Sequence, residues 1–417
     1  MFRRGSLMQP VALRALPATR ERVKSRFVAP VAVGIALRLA VASAIGGRAL
    51  FPDEVGYDRV GRMLASAWHA HDSIDVASAS VAGTRDIGYF LFVGAIYYVV
   101  PSLLVLSLCN AVVSGFSAYF AGRIGEHFGV GSAAAWLVAL YPTAIFWGST
   151  GLKDGLLATL FLASVALAFE GPSLRVLAVS VALISATFLI RPVLAGMAMC
   201  IQIAALAPIV VRAHHGRVVA LLGLAGFAWM VVNVGLPAYH AEQATATAVA
   251  GGVAISNLSL SGLVRGLLGP FPWSYGPGVS AVGEAQYPGQ VMLILLLPAA
   301  CVGGWEALRR GTFTMRAVVG ACFFYILIYQ SVSEFSEGFF RQRFDVELIL
   351  LILAAYAFKS RREVADVGTA LWLCLIPTAA LVQSGALPLA GVALLLAVGI
   401  GASLVYWFRE RRLHAPV

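Results

Sequence analysis

Long apolar runs separated by short clusters of charge set the rhythm of this chain. Runs at 27–47, 101–122, 131–148, 155–169, 174–190, 193–211, 218–237, 291–308, 317–333, 346–358, 367–383 and 387–408 match, or fall a few residues short of, the helix of about 20 residues that crosses a hydrocarbon core. They predict an all-α polytopic membrane protein of about twelve spans. Two intervening segments are long, 48–100 and 238–290. In the first, PDEVGYDRVGRMLASAWHAHD puts Val60, Met63, Leu64, Ala67 and Trp68 at helical spacing opposite Asp58, Arg59 and Arg62. That is the pattern of an amphipathic helix lying along a bilayer surface. The following IGYFLFVGAIYYVV, ended by Pro101, is apolar but too short to cross at about 1.5 Å per residue, and reads as a second juxtamembrane helix. The GPFPWSYGPG stretch in 238–290 predicts an irregular loop.

Composition agrees and narrows the class. Of 417 residues 60% are hydrophobic and only 12% charged, against roughly 25% charged in a soluble domain. This excludes a soluble enzyme with one anchor, a secreted disulfide scaffold and a β-barrel, whose strands would alternate in segments of about 10 residues. Cys109, Cys200, Cys301, Cys322 and Cys374 all fall inside apolar runs and read as small core residues. With the N-terminus placed inside, the loops 1–26, 123–130, 170–175, 212–217, 309–316, 359–366 and 409–417 hold 20 of the 30 basic residues, as the positive-inside rule requires. The formal charge of +10 then belongs to one membrane face and not to a nucleic-acid patch. Both termini are expected in the cytoplasm and the protein in a bacterial inner membrane. The division is a basic N-terminus (1–26), a membrane core (27–211) with outer loop 48–100, a second membrane region (212–408) with outer loop 238–290, and a tail (409–417). The first run is longer than a signal-peptide core and carries Arg38, so it is expected to be a retained helix.

The charges that remain inside or near spans are the candidate chemistry. Run 155–169 follows Lys153-Asp154, run 174–190 ends at Arg191-Pro192, and run 346–358 follows Arg341, Arg343 and Asp345. These runs are short, so the charges are expected below the outer headgroups, where charge is costly unless it serves a purpose. Outward-pointing helix N-termini at Lys153 and Arg343 would favour an anion such as a phosphate. Lys153 is the one lysine outside the cytoplasmic loops. Asp53-Glu54, just beyond the first span, and Asp154 supply carboxylates. Together they suggest group transfer from a lipid-linked phosphate, one carboxylate taking the proton of an attacking hydroxyl and cations stabilising the leaving phosphate. Snorkelling or structural ion pairing competes with this reading at each position.

The order VGIALRLAVASA, FPDEVGYDRVGRMLA, GYFLFVGAIYYV, then the stretch from LCNAVVSGF to FLASVALAF, then ISATFLIRPVLAG, resembles the GT-C superfamily of membrane glycosyltransferases. The likeness is to the branch of protein O-mannosyltransferases, aminoarabinose transferases and lipopolysaccharide galacturonosyltransferases. It covers residues 30–210, and in part 335–358 through GFFRQRFDVELILLILAAY. The resemblance implies a polyprenyl-phosphate sugar donor, a lipid or glycan acceptor, and inverting transfer at the extracytoplasmic face. It implies Asp53 as catalytic base, Glu54 beside it orienting groups or helping to hold a metal, and Asp154 as a further acid. Lys153, Arg191, Arg341 and Arg343 become candidates for the donor phosphate, with Arg85 in TRDIGYF a further one. Relatives differ in metal use, so Mg2+ or Mn2+ stays open.

Other patterns carry less. A polysaccharide polymerase or lipid-linked oligosaccharide ligase would also bind a lipid phosphate, but its arginines would crowd the large outer loop, and 238–290 holds only Arg265. YDRVGRM resembles a facilitator-transporter loop signature, yet it lies on the wrong side, and the six residues 212–217 are too short for that plan's central loop. His69, His71 and Asp72 read as a solvated loop end, because residues two apart share a face only in a strand. No nucleotide-binding glycine motif is present.

Overall fold

The computed structural model describes residues 26–72, 86–212, 281–332 and 338–361. Among them every regular element is a helix: α1 (Val28–Ile45), α2 (Pro52–Ala70), α3 (Ile87–Val99), α4 (Leu103–Gly115), α5 (Ser117–His127), α6 (Gly131–Leu140), α7 (Pro142–Gly148), α8 (Asp154–Ala168), α9 (Leu174–Phe188), α10 (Pro192–Arg212), α11 (Ala281–Arg310), α12 (Phe313–Val332) and α13 (Gly338–Ser360). Among the described residues three stretches are long and apolar enough to cross a membrane, Val28–Ile45, Leu103–His127 and Pro288–Arg310. Shorter apolar helices surround them. The expected runs 218–237, 367–383 and 387–408, both termini and most of 238–290 lie outside the described residues.

Helix α8 is the centre. It is apolar around its whole circumference and almost all of its side chains are buried, as expected of a helix with neighbours on every side. Helices α4, α5, α9, α10 and α13 pack on it. The 131–148 run is split, because Pro142 has no N–H to continue the helix from Tyr141. Helices α11 and α13 approach so closely that a side-chain carbon at Gly303 would sit 1.9 Å from the Leu353 carbonyl oxygen.

Two expectations are corrected. The apolar face of α2 is covered by protein and is not left free for lipid: Val60 and Leu64 are buried and the helix packs on α3. Gly61 fits against Val93 and Tyr97, and Gly94 against Leu64 and Trp68; only Met63 of that face stays exposed. The run at 346–358 is also not a short helix preceded by charges. α13 begins at Gly338 and includes Arg341, Arg343 and Asp345, so at 23 residues it is about 35 Å long. Arg343 therefore does not sit at a helix N-terminus, and the backbone contribution to an anion site there falls away. The helix continues through these charges because each described one meets an opposite charge, as shown next.

Candidate functional site

The sequence-predicted charges converge at one end of the bundle, around the non-helical segment 149–153 that links α7 to α8. This backbone is buried and its polar groups are met by side chains from three other elements. Asn110 of α4 donates from Nδ2 to the Thr150 and Leu152 carbonyls at 2.9 and 3.0 Å, and to the Tyr89 hydroxyl at 2.9 Å. Tyr89 donates to the Gly151 carbonyl at 2.8 Å. Irregular backbone at this depth survives only with such partners.

Glu54 closes the segment from the other side. It is 1% exposed and its Oε1 accepts from the Gly151 N–H at 2.7 Å. Its Oε2 accepts from the N–H groups of Leu50 and Phe51 at 2.6 and 3.0 Å. Glu54 thus ties the start of α2 to the start of α8. Neighbouring Asp53 is exposed at the first turn of α2.

The cations are held by carboxylates. Lys153, which caps α8, pairs with Asp86, and Asp86 also accepts from the Tyr57 hydroxyl at 2.8 Å. Arg191, between α9 and α10, bridges Asp154 at 3.1 Å and Asp345. Both carboxylates are fully buried, so the arginine fastens the N-terminus of α8 to α13. Asp345 Oδ1 has no hydrogen-bond partner among the described residues. Arg343 is enclosed too: Nε meets Glu347 at 2.6 Å, Nη2 meets Gln290 Oε1 at 2.5 Å, and Glu347 accepts from the Tyr141 hydroxyl at 2.7 Å. Arg341 lies in α13, and Arg85 lies outside the described residues.

So the structure brings Glu54, Lys153, Asp154 and Arg191 together, with Arg343 in a second linked cluster that includes Gln290 of α11. Sequence reading missed Asn110, Tyr57, Tyr89, Gln290 and Glu347, and named no partner for Asp86 or Asp345. Asp86 beside Arg85 and the acids interleaved with arginines after residue 340 were the available signals. Among the described residues, four paired carboxylates (Asp86, Asp154, Asp345 and Glu347) face three cations (Lys153, Arg191 and Arg343) in these clusters. Among the described residues no group of three or more His, Cys, Asp or Glu is arranged to hold a metal ion. His69 instead stacks on Tyr98, with ring centres 4.2 Å apart. The described cysteines are free, Cys301 exposed and Cys322 buried.

One further buried charge stands apart. Arg38 of α1 is wholly buried. Its Nη1 donates to the Gly34 carbonyl at 2.9 Å and reaches the Ala139 carbonyl at 3.5 Å. Its Nε and Nη2 have no partner among the described residues.

Comparison with protein-family models, curated proteins and solved structures returned no match.

Proposed function

We propose that the chain transfers a sugar from a polyprenyl-phosphate donor to an acceptor hydroxyl at the extracytoplasmic face of a membrane. The observation that supports this is the Glu54–Gly151 link, which sets exposed Asp53 at the same end of the bundle as Lys153, Asp154 and Arg191. In this reading the acceptor O–H proton passes to Asp53. The acceptor oxygen forms its bond to the anomeric carbon as the bond from that carbon to phosphate oxygen breaks. The phosphate leaves with the electron pair, and Lys153 at the N-terminus of α8 stabilises it. A single displacement of this kind inverts the anomeric centre.

The test is transfer by the reconstituted protein from a labelled polyprenyl-phosphate sugar. Asp53→Asn is expected to lower the rate about 10²–10⁴-fold, the range for loss of a general base, while the purified variant still retains the donor. Wild-type transfer by this variant would remove Asp53 from the role.

A further inference from the structure

The opposite end of the bundle is rich in arginine. Asp345 and Arg361, sixteen positions apart along α13 and its end, are separated by about 24 Å, so this end is remote from the acid-rich clusters. Here the two-residue turn 311–312 joins α11 to α12. Arg316 donates to the Arg309 carbonyl at 3.3 Å. Glu306 is shared by Arg310 at 3.3 Å and Arg361 at 3.0 Å. Glu306 thus carries two guanidinium groups, and Arg309 and Arg316 flank the same turn. Arg309, Arg310 and Arg316 are exposed, and the Arg310 side chain keeps 58% of its surface despite its ion pair.

The surface beside these arginines is apolar. Trp305 is 64% exposed, Phe313 53% and Leu308 42%. Trp305, Leu308 and Arg309 follow each other at i, i+3 and i+4, which places them on one face of α11. An exposed tryptophan and apolar side chains next to exposed guanidiniums match a molecule with an acyl body and an anionic head. A soluble anion would use the arginines and leave the apolar face without a purpose.

We propose that the α11–α12 turn binds an anionic phospholipid, its phosphodiester head on Arg309, Arg310 and Arg316 and its acyl chains along Trp305, Leu308 and Phe313. This site is separate from the proposed transfer site and does not depend on it. The full chain is purified in detergent and its bound lipid counted by native mass spectrometry after incubation with phosphatidylglycerol or phosphatidylcholine. Wild-type protein is expected to retain phosphatidylglycerol preferentially. R309Q/R310Q/R316Q is expected to lose that preference, by about five-fold for each arginine removed, and R309K/R310K/R316K to recover most of it. R123Q/R175Q, which removes charge elsewhere on the chain, is expected to bind as wild type does.

Equal retention of the two lipids by wild type would overturn the proposal. So would an undiminished preference in the triple glutamine variant, or an equal loss in R123Q/R175Q, since the second means diffuse attraction. Displacement of phosphatidylglycerol by millimolar inorganic phosphate would show a phosphate site and not a lipid site. Helical circular dichroism of each variant separates loss of binding from loss of fold.

Discussion

The buried arginines show most directly how this protein carries charge among apolar helices. Arg191 bridges two fully buried carboxylates, Asp154 and Asp345, from two different helices. Removing one partner of a buried pair typically costs about 3–5 kcal/mol, because the survivor is left without a countercharge. Arg191→Leu is therefore expected to destabilise the protein by at least that much, measured as loss of thermal stability in detergent. Adding Asp345→Asn is expected to recover part of the loss, and if it recovers none the two residues do not act as a pair. A milder, pH-dependent case lies on α2. Burial alone would raise the Asp58 carboxyl, but the hydrogen bonds from Arg62 and Tyr97 outweigh it and hold Asp58 below the usual carboxylate range. A depressed folded value means that its contribution is present above the unfolded value of about 3.9 and is lost as pH falls through the folded one. The extra protection of the α2–α3 amides in wild type over Asp58→Asn should therefore be constant near neutrality and disappear in acid. Arg38 is a reminder that a charge visible in a span does not announce its partner: the sequence placed it in the middle of α1, and its described contacts are backbone carbonyls only.

At the level of elements, what holds pieces together is close approach and shared backbone hydrogen bonds. Gly303→Ala would press a methyl group onto the Leu353 carbonyl, and overpacking of this kind costs about 1–3 kcal/mol. A thermal shift of wild-type size in that variant would mean that α11 and α13 separate easily. The segment 149–153 depends on Glu54 and Asn110. Glu54→Gln keeps one acceptor oxygen and loses the other, so amide exchange at Gly151 or at Leu50 and Phe51 should quicken. The helices themselves were legible, since α1, α2, α3, α8, α9 and α10 follow from apolar periodicity to within a few residues. The start of α13 was not. A run of arginines and acids after residue 340 reads as a break when each charge is priced alone, and Arg343 with Glu347 four residues on cancels that cost inside the helix. The docking of α2 on α3 was hidden for a similar reason, because an amphipathic face looks the same whether its cover is lipid or another helix. Asp53, Glu54, Lys153, Asp154 and Arg191 were visible as residues, yet their partners were not. Apart from the local bonds of Glu54 to Leu50 and Phe51, those pairings span from 37 to 154 positions, and no local pattern encodes them.

At the scale of the molecule, charge among the described residues is sorted along the bundle. Acid-rich clusters built from Glu54, Asp86, Asp154, Asp345 and Glu347 occupy one end, and Arg309, Arg310, Arg316, Lys359 and Arg361 gather at the other. If the basic end faces the cytoplasm, single cysteines placed at Asp53 and Arg309 in a cysteine-free background should react with impermeant maleimide from opposite sides of sealed vesicles. Labelling of both from one side would refute that arrangement. The bridge from Arg191 to Asp345 also bears on how the chain is made. The two residues are 154 positions apart, and at about 5–20 residues per second of synthesis roughly 8–30 s pass between them. Throughout that interval Arg191 has Asp154 but not its second carboxylate. The early helices must therefore wait in the bilayer with an unfinished charge cluster until α13 inserts, and a nascent chain stalled before residue 338 should be a better target for quality-control proteases than one stalled after residue 361.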